Sequence, residues 1–216
     1  PARSRHFGIL RNGSGCGGTV ADSHAMKSQL ARLVRKLSYR EGDFLLASGK
    51  RSTFYIDLKA TTLHPEGASL IGRLAVAKVK DSGLMIAGVG GLTLGADPLA
   101  TAVSLAAWQE SVFWPAFIVR KDAKDHGTSR YIEGVENLPS GARLLVLEDV
   151  VTTGGSSLKA AERLRESGFN PVAVLAVVDR EDGGAHAIIH AGMEFLSLLT
   201  LSDVQELERH SAAHEY

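Results

Sequence analysis

Apolar residues along the chain first recur at helical spacing and later form short uninterrupted runs. Between residues 26 and 37 they fall on one face of a helix, which predicts an amphipathic helix with basic residues on its other side. Residues 43–58 favour two short strands, a hairpin joined around Ser48–Gly49. Pro65 suits the first position of the next helix, and Gly83 suits its end.

After residue 83, apolar runs alternate with helical patterns. The predicted strands are 84–89, 116–119, 144–147, 172–178 and about 193–200. The predicted helices between them are 98–108 and 157–167. After the last strand, Ser202 and Gln205 predict a capping box for a short terminal helix. This alternation predicts an α/β fold with a parallel sheet and helices on both faces. Ligands of such sheets bind beyond the carboxyl ends of the strands, so the loops there are candidate sites.

Composition limits the class of protein. The 216 residues, 44% of them hydrophobic, predict one good core, and 24 basic residues balance 24 acidic ones, so bulk charge indicates neither a nucleic-acid nor a membrane-surface partner. The single cysteine, Cys16, excludes an intrachain disulfide and a cysteine zinc cluster, which suits a cytoplasmic protein. The longest apolar runs fall far short of the roughly twenty residues of a membrane span, so we expect a soluble protein.

The first 25 residues are rich in Gly, Ser and Arg and lack apolar periodicity. We expect them to be an expression-derived or upstream-translated extension, with a targeting peptide as the alternative, and we assign them no chemistry. The remaining chain, 26–216, is then a single domain. Its first part, residues 26–60, contains the predicted hairpin and is called the hood below.

Residues 144–157, LLVLEDVVTTGGSS, form the most informative string in the chain. The apolar run suits a strand buried on both faces, and the glycines let backbone N–H groups surround an anion where the next helix begins. Glu148 and Asp149 follow the apolar run, where they can accept hydrogen bonds from hydroxyl groups. The string therefore indicates a phosphoribosyl ligand. The alternative is a plain strand–turn–helix connection with an accidental acidic pair.

A second segment, residues 120–134, carries many cations and little apolar content to hold it down. The cations are Arg120, Lys121, Lys124, His126 and Arg130. We interpret it as a mobile cationic lid, although a solvated surface loop is the simpler alternative. Cations in a dry site stabilise a departing diphosphate, and a closing loop keeps water away from an oxocarbenium-like sugar.

These strings carry a family resemblance. LLVLEDVVTTGGSS resembles the 5-phosphoribosyl-1-diphosphate (PRPP) motif of type I phosphoribosyltransferases, and RKDAKDHG resembles the catalytic loop of orotate phosphoribosyltransferases. The resemblance implies a type I phosphoribosyltransferase fold in which the hood covers the base. It also implies a homodimer, because the family's lid reaches into the active site of the second subunit.

The resemblance also implies roles for individual residues. Lys124 and His126 would contact the diphosphate, with support from Arg120 and Lys121, and Glu148 and Asp149 would hold the ribose hydroxyls. The 5′-phosphate would be cradled by a segment called the phosphate loop below, Thr152, Thr153, Gly154, Gly155 and Ser156. The loop that holds the diphosphate would include Gly90, Gly91, Leu92 and Thr93. Asp149, with the four lid residues, is counted among the catalytic residues.

Two further segments concern the base. SGKRSTFYIDL resembles the family's hood, in which Phe54 and Tyr55 would line orotate, although both could simply be strand core. Arg180 follows the predicted strand 172–178 and matches the family's base-binding arginine, since a guanidinium captures a planar carboxylate through two hydrogen bonds. The alternative for Arg180 is a surface salt bridge with Glu181 or Asp182.

The chain departs from the family pattern at two expected cations. Ala47 stands where many relatives have Lys, and residues 91–95 lack the usual Tyr-Lys-Gly. Lys50, Arg51 or Lys59 could compensate, and backbone amides of residues 90–95 can hold a diphosphate without Lys.

Taken together, the sequence predicts Mg²⁺-dependent transfer of phosphoribose from PRPP to orotate, with the metal held mainly by PRPP oxygens and water rather than by a protein cage. The alternatives are a phosphoribosyltransferase for a purine or other base, and a PRPP-sensing regulator that contacts nucleic acid.

Overall fold

A computed structural model of the chain describes residues 20–45, 51–122 and 131–206. Its centre is a six-stranded sheet in the order β5-β4-β3-β6-β7-β8. The strands are β3 (Gly88–Leu92), β4 (Ala116–Val119), β5 (Ile132–Glu133), β6 (Arg143–Val151), β7 (Asn170–Asp179) and β8 (Glu194–Thr200). All neighbours pair in parallel except the short edge strand β5, which runs antiparallel to β4. The predicted α/β fold with a parallel sheet is confirmed.

Helices cover both faces of this sheet. They are α1 (Val20–Leu37), α2 (Lys59–Thr62), α3 (Pro65–Ser82), α4 (Asp97–Gln109), α5 (Gly155–Glu166), α6 (Gly184–His190) and α7 (Leu201–Gln205), with a 3-10 turn at Val135–Asn137. Two hydrophobic clusters result, one containing α1, α3 and α4 and the other α5 and α6. None of the described helices has the length and apolar content needed to cross a membrane.

The central strands β6 and β7 are apolar on both sides because each side meets a helix layer. Leu145 and Leu147 pack in the cluster with α3 and α4, whereas Leu144 and Val146 pack in the cluster with α5. Alternate side chains of a strand point to opposite faces, so an uninterrupted apolar run is what a doubly covered strand requires.

The hood hairpin stands apart from the sheet, as predicted. It consists of β1 (Tyr39–Leu45) and β2 (Arg51–Ile56), which pair antiparallel with an irregularity between Glu41 and Phe44. The predicted turn at Ser48–Gly49 lies outside the described residues. Helix α3 begins at Pro65 and ends at Gly83, which has a left-handed φ of 72°; both predictions are confirmed.

Several predicted boundaries are wrong. Helix α1 begins at Val20 rather than Met26, and most of its first turns are exposed, so apolar periodicity could not mark them. The terminal capping box is formed by Thr200 and Asp203, not by Ser202 and Gln205. Helices α2 and α6 and strand β5 were not predicted; each has at most seven residues, too few for a periodic pattern.

The first sheet strand is also displaced from its predicted position. Strand β3 covers Gly88–Leu92 instead of 84–89, so Gly90, Gly91 and Leu92 lie in a buried strand and not in a loop. Glycine is needed there for close packing: a Cβ on Gly90 would lie 2.0 Å from the carbonyl oxygen of Phe117, and one on Gly91 2.1 Å from that of Leu147. The connecting loop proper is therefore residues 93–96.

Candidate active site

The site lies where the order of the strands reverses. Strands β3 and β6 are neighbours, but the chain leaves β3 toward β4 on one side and leaves β6 toward β7 on the other. Ligands of open α/β sheets bind at such a switch point, in the crevice beyond the carboxyl ends of the strands. The loops that follow β3, β6 and β7 all start at this edge, which brings together the three loops selected from the sequence.

The phosphate loop forms the start of helix α5. Gly154 precedes the helix with a left-handed φ of 81°, and no side chain in the described part of the chain caps the first turn. Residues 150–157 and Glu148 line a cavity of about 230 Å³ at this point. Uncapped N–H groups and the positive end of the helix dipole favour an anion. Within the described residues, the start of α5 therefore offers a cavity and unpaired backbone donors that suit an anion.

The acidic pair lies within strand β6, at the entrance of this loop. Glu148 is only 8% exposed and accepts a 2.9 Å hydrogen bond from the Ser157 hydroxyl. Burial, together with the adjacent charge of Asp149, raises the pKa of Glu148 to about 8. Asp149 Oδ1 accepts a hydrogen bond from the Val150 amide at 2.9 Å. Burial at this position therefore favours the neutral form of the Glu148 carboxyl group.

The loop after β3 packs directly against Asp149. A Cβ on Gly95 would lie 2.8 Å from Asp149 Oδ1, so only glycine lets the loop approach this closely. Thr93 donates a 2.7 Å hydrogen bond to Asp97 Oδ2, which ties the loop to the start of α4, and the Thr93–Leu94 peptide bond is cis. The loop and the acidic pair thus form one continuous surface.

Arg180 lies at the end of β7 beneath the hood. The centre of its guanidinium is 4.9 Å from the ring centroid of Phe54, and its side chain is 13% exposed. Its Nε is 3.3 Å from Asp182 Oδ2, an ion-pair distance without hydrogen-bond geometry. The sequence alternative of a pairing with Asp182 is thus present, whereas Glu181 accepts hydrogen bonds from Ser202 instead.

The two hood aromatics point to opposite faces of β2. Phe54 packs against the core and stacks on Tyr39, whereas Tyr55 is 43% exposed and contacts Phe44 at 5.6 Å between ring centroids. The sequence allowed Phe54 to be either strand core or a lining of the base pocket. In the structure it packs against the core and also contacts Arg180.

The described parts of the cationic lid are held by a buried arginine. Arg163 on α5 is 8% exposed and donates hydrogen bonds to the carbonyl oxygens of Arg120 and, at 2.7 Å, Lys121. Its guanidinium also lies 4.2 Å from the ring centroid of Tyr131. Arg120 itself forms a 3.2 Å ion pair with Glu133. Lys124 and His126, the predicted diphosphate ligands, lie outside the described residues.

One of the candidate replacements for the missing cations lies near the site. This candidate is Lys59, which donates a 3.0 Å hydrogen bond to Asp57. That bond raises the pKa of Lys59, and the nearby charge of Asp149 adds to the shift. Arg51 instead pairs with Asp43 in the hairpin. Lys50 and Ala47 lie outside the described residues. Lys59 is therefore the described candidate within electrostatic reach of the acidic pair.

Sequence reasoning missed three supporting residues. Ser157 bonds Glu148, Arg163 holds the stems of the lid, and Tyr39 stacks behind Phe54. Ser157 closes the TTGGSS string and could have been identified from it. The other two depend on contacts between distant segments, which leave no local pattern.

The parallel sheet, its switch point and the uncapped phosphate loop beside an acidic pair define the class of type I phosphoribosyltransferases. No family model matches the chain. The orotate phosphoribosyltransferase of Nostoc sp. is 47% identical to it, over 87% of this chain and 89% of the relative. On this similarity, the chain belongs to the orotate phosphoribosyltransferase family.

Solved structures agree. The orotate phosphoribosyltransferase of Mycobacterium tuberculosis H37Rv in complex with Fe(III) dicitrate has a TM-score of 0.74 and 44% identity, over 83% of this chain and 98% of that one. The same enzyme in complex with PRPP has a TM-score of 0.68 and 40% identity, over 83% and 99%.

Proposed function

We propose that the cleft beyond β3, β6 and β7 carries out the reaction of this family. The 5-phosphoribosyl group of PRPP is transferred to orotate, giving orotidine 5′-monophosphate and diphosphate with inversion at the anomeric carbon, in de novo pyrimidine (UMP) biosynthesis. The observation that carries the proposal is the uncapped start of α5 beside the acidic pair at the strand switch point. A phosphate and neighbouring hydroxyl groups are the ligand chemistry that this pairing fits.

PRPP would lie across the acidic pair. Its 5′-phosphate would accept hydrogen bonds from the amides and hydroxyls of the phosphate loop, and Glu148 and Asp149 would bind the ribose hydroxyls. Its diphosphate would then lie toward residues 93–96, because Gly95 contacts Asp149. Backbone amides of that loop supply donors where the family's lysine is missing.

Orotate would be bound between the hood and the end of β7. Among the residues that the structure describes, none accepts a hydrogen bond from the buried Nε of Arg180, and the Phe54 ring lies against its guanidinium. The orotate carboxylate would complete the hydrogen bonds of this guanidinium. In that pose the ion pair with Asp182 gives way to the ligand, because a bidentate guanidinium–carboxylate pair has the better geometry.

The leaving diphosphate needs positive charge as the bond to the anomeric carbon breaks. We assign this role to the cationic lid, with Lys124 and His126 at the diphosphate and Arg120 and Lys121 in support. No covalent nucleophile is needed, since an oxocarbenium-like sugar shielded from water can react directly with the base.

A magnesium ion fits this site only as part of the substrate complex. Within residues 20–45, 51–122 and 131–206, no group of three or more His, Cys, Asp or Glu side chains is placed to hold a metal. Asp149, half-buried and next to the diphosphate loop, is the carboxylate available to a hydrated ion bound to PRPP oxygens. When bound, Mg²⁺ neutralises charge on the diphosphate; the residues above position the two substrates.

The direct test is an assay of diphosphate release with PRPP and each of orotate, adenine, guanine and uracil, with Mg²⁺ or with EDTA. Of the four bases, we expect only orotate to support diphosphate release from PRPP, and only when Mg²⁺ is present. Turnover with a purine but not orotate would refute the choice of base, and undiminished turnover in EDTA would refute the role of the metal. We also propose a cytoplasmic enzyme, which the single cysteine supports; cell fractionation tests this.

We further propose a homodimer in which the lid of one subunit serves the site of the other. An exposed apolar patch near the end of α4 supports it: Leu105, Trp108 and Phe113, which line one groove, are 58%, 64% and 71% exposed. Separately, Leu94, in the loop after β3, is 68% exposed. Monomeric proteins rarely expose an apolar patch of this kind. Leu94 lies in the loop proposed to hold the diphosphate, so a second subunit that covers Leu94 would come close to the site.

Mixed dimers test the shared lid. Lys124→Ala impairs the lid, and we expect it to lower kcat by roughly 10²–10³. Arg180→Ala impairs the base pocket, so at low orotate concentration each variant alone should retain little activity. If the lid is shared, a dimer of one subunit of each kind contains one intact site and regains about half the activity of the unmodified dimer. If mixing restores no activity, each lid serves its own subunit and the proposal is wrong.

A further inference from the structure

Four side chains form a continuous column beneath the hood. Arg180 lies on the ring of Phe54, which stacks on Tyr39 with ring centroids 5.6 Å apart and planes 11° from parallel. Arg35 lies over the ring of Tyr39, 4.2 Å from its centroid. Each ring thus contacts two neighbours in the column, and Arg180 is the end member nearest the proposed base pocket.

The column is fixed at Tyr39, which is 8% exposed. Its hydroxyl accepts a 2.9 Å hydrogen bond from Nε2 of Gln205, the last residue of α7. Helix α7 is in turn held by the capping box at Thr200 and by a 2.9 Å ion pair between Asp203 and Lys27 of α1. The position of Tyr39 is therefore set by two helices outside the base pocket.

Arg180 needs such support because, within the described residues, no hydrogen bond fixes the direction of its Nε. Its Nε approaches Asp182 without hydrogen-bond geometry, and an arginine side chain has many rotamers to lose on binding. A cation on an aromatic face is held in one plane, and a guanidinium held in the correct plane binds a planar carboxylate with less loss of entropy.

We propose that Tyr39, anchored by Gln205, is a positioning residue for orotate: it fixes the ring of Phe54 and, through that ring, the guanidinium of Arg180 in the orientation that receives the orotate carboxylate. This inference rests on the proposed role of Arg180 in binding the base. Tyr39 itself touches neither substrate in this arrangement, so its effect reaches the pocket only through Phe54.

A purely structural role for Tyr39 makes a different prediction. If Tyr39 served only to fill the core, its loss would lower stability and affect both substrates alike. If it positions Arg180, its loss weakens orotate binding selectively, because the PRPP contacts lie on β6, α5 and the loop after β3 and share none of the column's side chains.

The experiment compares KM for orotate, KM for PRPP, kcat and Tm in four single variants. Tyr39→Leu removes the stack, Tyr39→Phe and Gln205→Met each remove only the hydrogen bond, and Arg180→Ala removes the proposed base ligand. Phe44→Leu is the matched control, since it removes an aromatic pair from the other face of the same hairpin.

For Tyr39→Leu we expect an increase of about tenfold in KM for orotate, with KM for PRPP within about twofold, from the loss of one stacked pair and a weaker cation–π contact. Tyr39→Phe and Gln205→Met should each raise KM for orotate by about threefold, and their combination should raise it no further, because both remove the same bond. In the control, both KM values should stay within about twofold.

Two results would overturn the inference. If Arg180→Ala raises KM for orotate but the Tyr39 and Gln205 variants do not, the column has no positioning role while the proposed function stands. If Arg180→Ala leaves KM for orotate unchanged, the assignment of Arg180 is wrong and the inference is wrong with it. Should Tyr39→Leu fail to fold, Tyr39→Phe and Gln205→Met decide alone, since each keeps the packed ring.

Discussion

Replacing Glu148 by glutamine should remove a pH dependence of stability that the unmodified protein shows. Burial and the charge of Asp149 raise the pKa of Glu148 from its ordinary value of 4.5 to about 8. Between these two values the folded protein holds a proton that the unfolded chain has released, so the free energy of unfolding falls as pH rises. The contribution is complete below pH 4.5 and is lost as pH passes about 8.

The size of the effect follows from the shift. One pKa unit corresponds to about 1.4 kcal/mol, so Glu148 lowers the free energy of unfolding by at most about 1.4 kcal/mol per pH unit. Over the whole interval the limit is about 5 kcal/mol, and entry of water into the folded site reduces it. The glutamine side chain in Glu148→Gln would keep an oxygen that accepts the Ser157 hydrogen bond and would carry no charge at any pH.

The assay is urea unfolding of both proteins, without ligands, at half-unit steps from pH 5 to pH 8. The other titrating groups contribute equally to both proteins, so the difference between the two free energies reports on Glu148. We expect Glu148→Gln to become the more stable of the two, by a growing margin, as pH rises. With Asp149→Asn the decline should end at a lower pH, because this change removes the second cause of the shift. A difference that is constant over this range would mean that Glu148 is ionised in the folded protein, and the reasoning would fail.

Three further variants test contacts around the site. Arg163→Met should lower kcat about tenfold and the free energy of unfolding by about 1–3 kcal/mol, because carbonyl oxygens of the lid stem lose their donor. The control is Arg165→Met, at an exposed position of the same helix, which should change the free energy of unfolding by less than about 0.5 kcal/mol. If the two variants have equal effects on kcat and on urea unfolding, Arg163 does not anchor the lid. Gly95→Ala places a methyl group 2.8 Å from Asp149 Oδ1, so the Asp149 carboxylate must shift. We expect KM for PRPP to rise about tenfold with little change in Tm. An unchanged KM for PRPP would show that the loop tolerates a side chain at this position. Thr200→Ala should lower the free energy of unfolding by about 1 kcal/mol through loss of the cap, and no loss on urea unfolding would refute the capping box.

The sequence predicted the parallel sheet well because its strands are covered on both sides. Residues 144–147 and 172–178 are uninterrupted apolar runs, and both lie in central strands of the sheet. Strand β3 was misplaced for the opposite reason: glycines at positions 90 and 91 resemble a loop, but their lack of side chains serves strand packing. Local pattern cannot distinguish these two uses of glycine.

The candidate site was predictable where a single string contains its chemistry. The phosphate loop and the acidic pair are contiguous, and the structure places them together as expected. The raised pKa of Glu148 could not be inferred, because it depends on the burial of a residue that only the fold encloses. Contacts such as that of Arg163 with the carbonyl oxygens of Arg120 and Lys121, 43 and 42 positions away, likewise require the folded chain.

The bond between Tyr39 and Gln205 joins residues separated by 166 positions. During synthesis, the hood therefore leaves the ribosome long before the helix that secures it exists. A nascent chain that has already formed β3 to β7 would contain the proposed phosphate loop and acidic pair but would lack the hydrogen bond that anchors Tyr39. The proposed orotate pocket should thus be completed last, and a chain lacking α7 should show a raised KM for orotate with little change in KM for PRPP.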